Sequence, residues 1–99
     1  MVKLTILYKN PLTEGGFEGN YNRNLALMER LPNIQRRQAC MVLGGPAGRS
    51  PYYRILELYF EDFNLLDSAL RSPQGQAAGA DLMSFAPDAE LIFSEVFEE

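Results

Sequence analysis

The sequence predicts an α+β fold: four strands in one antiparallel sheet, with helices packed on one of its faces. Three observations predict it. Val2–Tyr8 and Tyr52–Phe60 are strand-type runs, the first with apolar residues at every second position. Phe17, Tyr21, Asn24, Met28 and Leu31 recur at helical spacing and share one face. Proline and glycine breaks then divide the chain into the order β-α-β-β-α-β, the split βαβ of the ferredoxin-like fold. At 99 residues the chain is expected to make a single domain over 1–99.

In the first strand Val2, Leu4, Ile6 and Tyr8 alternate with Lys3, Thr5, Leu7 and Lys9. Asn10-Pro11 ends it, since proline lacks a donor and holds the preceding residue out of helical space. Thr13 is the expected cap of a helix running to about Arg30, its first turns loosened by Gly15, Gly16 and Gly19. Pro32-Asn33 stops it, and Ile34–Leu43 reads as the second strand. Gly44-Gly45-Pro46-Ala47-Gly48 lacks the Gly-Lys-Ser/Thr ending of a phosphate loop and joins two strands, so it is read as a turn. After Tyr52–Phe60, Asp62 caps a helix to about Arg71. Ser72-Pro73 restarts it, with serine as cap and proline at the first helical position, and Ala86-Pro87 ends it after Phe85. Ala89–Phe97 is the fourth strand.

Composition excludes several chemistries. The chain has no histidine, which removes His-ligated haem, His-based zinc sites, Ser-His and Cys-His triads and any imidazole acid or base. Neither a metal site nor a cofactor is expected. The single Cys40 cannot form an internal disulfide, and with no histidine to activate it an inert thiol is the plainer reading. Met28, Met41 and Met83 have no ligand spacing and read as core filler. The net charge of -4 is split unevenly. Residues 1–56 carry eight Lys/Arg against three acids, whereas 57–99 carry ten acids and only Arg71. The basic residues are scattered, so the split is read as complementary halves of a fold or dimer, with no nucleic-acid partner. No signal-like or membrane-spanning run is visible, and a cytoplasmic protein with no membrane partner is expected.

Leu56, Leu58 and Phe60 share one face of the third strand; Tyr53, Ile55, Glu57 and Tyr59 are expected on the other. In the fourth, Ile92 and Val96 are expected to face the helices, opposite Leu91, Phe93, Glu95 and Phe97. Helices in this topology cover only one side, leaving roughly 400 Å² of largely apolar sheet. A second copy of the chain is the economical cover, so a homodimer closed face to face is expected. The outer strands carry Arg36 and Arg37 on one edge and Glu90, Glu95, Glu98 and Glu99 on or after the other, charges that would attract across such a dimer.

Three segments carry a family likeness. They are Pro51-Tyr52-Tyr53-Arg54-Ile55-Leu56-Glu57-Leu58-Tyr59-Phe60, then Leu70-Arg71-Ser72-Pro73-Gln74-Gly75-Gln76-Ala77, then Asp81-Leu82-x-x-Phe85. Together with the strand Lys3–Tyr8 they resemble the EthD family, named for ethyl tert-butyl ether degradation, within the dimeric α+β barrel superfamily. The resemblance implies a dimeric barrel in catabolism or secondary metabolism, with relatives that include cofactor-free monooxygenases and lactone isomerases. Family members commonly carry a His-x-Pro-Leu segment in the first helix. Here Asn24-Leu25-Ala26-Leu27 stands there, with Asn24 at the histidine position, or Leu25 if one residue is gapped. The imidazole is missing either way, which weighs against family catalysis.

The expected function is binding of an apolar or aromatic small molecule between sheet and helices, as an accessory protein or a cofactor-free oxygenase or isomerase. The alternative is a non-catalytic dimerisation module with a filled interior. Tyr8, Tyr53, Tyr59 and Phe93 are the candidate pocket aromatics, with Asn24 as an amide that needs partners if buried. Glu57 is the candidate base, with Tyr59 and Asn24 orienting the substrate. The competing reading has Glu57 and Glu95 in ion pairs across a dimer with Arg36, Arg37 or Arg54.

Overall fold

Apolar alternation commits the first segment to a strand and a nearly continuous run of aromatic and aliphatic residues commits Tyr52–Phe60, and they become the two central strands of the sheet. The computed structural model describes residues 1–12 and 15–98. Its elements are β1 (Val2–Lys9), α1 (Phe17–Met28), β2 (Arg36–Met41), β3 (Tyr52–Phe60), α2 (Phe63–Arg71), α3 (Pro73–Phe85) and β4 (Glu90–Glu95). The sheet order is β2-β3-β1-β4, every pairing antiparallel, so the fold is ferredoxin-like α+β with β2 and β4 as edges.

Local chemistry sets the helix boundaries. The Asp62 carboxylate accepts from the Leu65 amide at 2.9 Å and caps α2. The Ser72 hydroxyl oxygen accepts from the Gly75 amide at 3.1 Å, and Pro73 fills the first helical position of α3. Gly16, at φ 88°, precedes α1. That left-handed conformation favours glycine and starts the helix at Phe17. The Thr13 cap expected from sequence lies outside the described residues. Strands β2 and β4 are shorter at both ends than their apolar runs suggest, although Gln35 and Val42 still donate to the carbonyls of Tyr59 and Tyr53.

Leu4, Ile6 and Tyr8 of β1 and Leu56, Leu58 and Phe60 of β3 are buried beneath the helices with Tyr21, Met28, Leu31, Leu66 and Leu82. Each such side chain contributes about 1.5–3 kcal/mol through burial. The face Phe17–Tyr21–Asn24–Met28–Leu31 is buried throughout, as its spacing predicts.

Two expectations about faces are corrected. Tyr53 turns to the helix side. Tyr8 pairs with Arg54 but Lys9 with Tyr52, so β3 carries an extra residue at Tyr53. This bulge shifts the alternation: Tyr53 and Arg54 both meet α1, and Tyr52 takes the open face, where its hydroxyl donates to Glu90 at 2.9 Å. In β4, Leu91 pairs with Ile6 and Phe93 with Leu4, which places them on the helix side and Ile92, opposite Thr5, on the open side. A one-residue change of register exchanges the faces of a strand, and three consecutive apolar residues give no pattern to fix it. Phe93 packs edge-on against Phe63 at the start of α2, 5.6 Å between centroids, and remains about half exposed.

Candidate functional site

The ends of β1, α1 and α3 meet in an aromatic cluster. Tyr8 lies edge-on to Tyr21 at 5.2 Å and stacks on Phe85 at 6.4 Å. Phe17 packs against Tyr53 at 5.3 Å and Phe85 at 5.8 Å. Alternation puts Tyr8 inward, the helical repeat brings Phe17 and Tyr21 over it, and the last turn of α3 delivers Phe85. The outer rings, Phe17 and Phe85, line a surface cleft of about 520 Å³ with Lys9, Asn20, Ala86 and Asp88. That volume lies within the range of small-molecule sites.

Behind the cluster Asn24 is fully buried and fully used. Its amide donates to the Ala78 carbonyl and to Asp81, both at 3.0 Å, and its oxygen accepts from the Tyr8 hydroxyl at 3.4 Å. Asp81 also accepts from Arg23 at 2.8 Å. The chain of contacts ties β1, α1 and α3 together and explains why an amide tolerates a core position. Burial, then Tyr21 and Asp81, push the Tyr8 hydroxyl well above the ordinary tyrosine range.

Arg54 lies across the Tyr21 ring, 4.8 Å from its centroid, and its Nη2 donates to both Glu18 oxygens at 2.7 Å. The Tyr53 hydroxyl donates to the same carboxylate at 2.7 Å. Arg54 and then Tyr53 hold the Glu18 carboxyl below its ordinary value of 4.5. A depressed acid stabilises the fold fully above its unfolded value and loses that contribution as pH falls through the folded one. Glu18→Gln is therefore expected to flatten the acid limb of the stability curve below about pH 4.5 in urea titrations. The effect is small because Glu18 is partly exposed.

The open face is built differently. Lys3 forms an ion pair with Glu57 in the same chain, and the carboxylate raises the Lys3 pKa. Tyr59 is flanked by two cations, with Lys3 Nζ 5.6 Å and the Arg36 guanidinium 5.1 Å from its ring. Leu7 and Ile55 pair directly beside them, as do Thr5 and Ile92, and Cys40 faces Ile55.

The structure thus divides the residues singled out from sequence. Tyr8, Asn24 and Tyr53 are together on the helix side, and Glu57 and Tyr59 are on the opposite face of the sheet. Phe93 stands apart on the edge. Asn24 and Tyr59 therefore do not orient anything together at Glu57 within one chain. Within the single chain Arg54 takes Glu18, Arg37 takes Glu29 at 3.2 Å, and Glu57 takes Lys3. Sequence reasoning missed Glu18, Lys9 and Asn20. A Glu beside the core residue Phe17 was the one available signal. Among the described residues no group of three or more His, Cys, Asp or Glu is arranged to hold a metal ion, and no helix is long and apolar enough to cross a membrane.

Fold and site define a ferredoxin-like α+β protein with an aromatic helix–sheet core and one bare sheet face. No protein-family model matches the chain. An uncharacterised 11.0 kDa protein from the thcB–thcC intergenic region of Rhodococcus erythropolis is 33% identical over 89 residues, 87% of this chain and 84% of that protein. The crystal structure of an ethyl tert-butyl ether degradation (EthD) family protein from Bacillus halodurans superposes with a TM-score of 0.94 at 32% identity, covering 98% of this chain and 99% of the other. The chain belongs to the EthD family. More distant structures share the fold. One is a dimeric ferredoxin-like protein of unknown function from Jannaschia, with TM-score 0.77, 17% identity and coverages of 97% and 100%. Another is SnoaB, a cofactor-independent oxygenase from Streptomyces nogalater, with TM-score 0.69, 15% identity and coverages of 99% and 94%.

Proposed function

We propose that the protein is a homodimer that binds an apolar or aromatic small molecule on the helix side of each sheet, at the cleft beside Phe17 and Phe85. The observation that carries this reading is the aromatic cluster reaching the surface there. A flat apolar guest would extend the stack Tyr8–Phe85 and Phe17–Tyr21, while Lys9, Asn20 and Asp88 supply polar contacts at the rim. Asn24 serves this site from behind by locking Tyr8 in place. The open face serves assembly, and there we assign Glu57 to holding Lys3 between the two sheets.

Titration with 2-naphthol, followed by amide chemical shifts, tests the cleft. Saturable shifts are expected at Phe17, Asn20 and Phe85. Phe85→Leu keeps an apolar side chain at the site but removes the ring, and is expected to weaken binding about 3–10-fold. Unsaturable shifts, or equal binding by Phe85→Leu, would overturn the reading in favour of a filled dimerisation module.

A further inference from the structure

On the helix side of the sheet the two edge strands are finished in opposite ways. Along β4, Leu91 and Phe93 turn toward the helices yet stay 45% and 51% exposed, and just past the strand Phe97 is 75% exposed. Along β2 there is a gap instead. Helix α1 packs against α3 and stands off β2, leaving an apolar crevice of about 110 Å³ lined by Leu25, Met28, Ala39, Leu56 and Leu58. Beside it a second groove, lined by Leu31, Asn33, Ile34, Arg36 and Arg37, marks the entry into β2.

The register sets these features at matching heights. One row across the sheet runs Ala39–Leu56–Ile6–Leu91, and the next row facing the same side runs Arg37–Leu58–Leu4–Phe93. Two further steps of two residues bring Phe97 toward the level of Asn33. The strands β2 and β4 run in opposite directions, and each pairs on one side only. A two-fold axis parallel to the strands preserves height, so stacking two open faces about it sets β4 of one copy along β2 of the other. The protruding row then meets the gap.

We infer that the α1–β2 flank is a docking site for the β4 edge of a second copy. Leu91 enters the crevice at Ala39 and Leu25, Phe93 and Glu95 lie along Arg37, and Phe97 covers Leu31 and Ile34. The inference rests on the homodimer proposed above and adds that each copy grips the outer flank of the other as well as its bare face. Charge selects the occupant. The β4 segment carries Glu90, Glu95 and Glu98, and the flank carries Arg36 and Arg37. The Arg37–Glu29 pair at the crevice is half-exposed at 3.2 Å, and such a pair yields to a second carboxylate at little cost. A basic partner suits the β4 edge alone and an acidic one the flank alone. A second copy of this chain satisfies both, and symmetry makes the contact twice.

Isotope-filtered nuclear Overhauser spectra on an equilibrated 1:1 mixture of carbon-13-labelled and unlabelled protein read contacts between copies. Cross-peaks are expected from the Leu91 methyls to Ala39 and Leu25, and from the Phe97 ring to Ile34. Within one chain three strand spacings, about 14 Å, separate β4 from β2, too far for such signals. Phe97→Ser is expected to raise the dimer Kd about 10–100-fold, since both copies of the contact are lost, with unchanged circular dichroism because the ring meets water in the isolated chain. Ala39→Trp, which fills the crevice from the strand side, is expected to weaken the dimer as well. A dimer by light scattering that lacks these cross-peaks, or whose Kd neither substitution moves, would overturn the docking and leave the homodimer standing. A monomeric wild type would remove the homodimer and the docking together.

Discussion

Gly75→Ala is expected to destabilise the protein by about 3 kcal/mol or more, lowering its urea midpoint by roughly 1–2 M. A Cβ at this position would lie 2.2 Å from the Ala69 carbonyl oxygen, 2.5 Å from that of Leu70 and 2.7 Å from the Leu70 carbonyl carbon. All three atoms are backbone. They belong to the last turn of α2, where Ser72 ends one helix and caps the next, so no rotamer change relieves the clash. Only a shift of α3 against α2 would, and α3 carries Ala78, Leu82 and the acceptors for Asn24. Gly79→Ala is the control. It lies in the same helix, where an added Cβ would meet nothing within 4 Å, and is expected to stabilise by about 0.4–1 kcal/mol through helix propensity and chain entropy. Equal midpoints for the two variants would show that the junction is not tight.

The Ser-Pro-x-Gly segment illustrates what the sequence made legible. Ser72 and Pro73 are local signals, and they place the α3 boundary as the structure has it. Asp62 does the same for α2, and the 4-3-4-3 spacing finds the buried face of α1 because a helix meeting a core must repeat that way. The close approach of Gly75 to the end of α2 depends on the angle between the two helices and leaves no trace beyond the glycine itself.

The faces of β3 and β4 show where legibility ends. Pro51-Tyr52-Tyr53-Arg54 contains no glycine to mark a bulge, and both sides of β3 are largely apolar. Only pairing with β1 reveals that Tyr53 and Arg54 share the helix side. Leu91-Ile92-Phe93 likewise fits either register. The candidate site inherited both difficulties. Tyr8 and Asn24 were found because they lie on elements with clear periodicity, but their hydrogen bonds reach residues far along the chain. Lys3 and Glu57 meet across 54 residues, a separation at which spacing carries no information.

The open face supports the last expectation, that Leu7→Lys converts a dimer into a folded monomer. Leu7 sits on a central strand, between Ile55 on one side and Glu90 on the other, and points away from the helices. In the isolated chain this surface meets water, so the substitution costs the monomer little and its circular dichroism should be unchanged. In a face-to-face dimer the new ammonium would be taken out of water beside Ile55, with only Glu90, already engaged by the Tyr52 hydroxyl, on its other side, at a cost of about 3 kcal/mol, roughly a hundredfold in the dimer dissociation constant. Charge favours one arrangement of the two sheets. Arg36 marks the open face at the β2 edge and Glu90 at the β4 edge, so a two-fold axis parallel to the strands lays the basic edge of one copy over the acidic edge of the other. Light scattering at micromolar concentration reads the outcome. A wild-type monomer, or a Leu7→Lys variant that stays dimeric, would mean that the open face is not the interface.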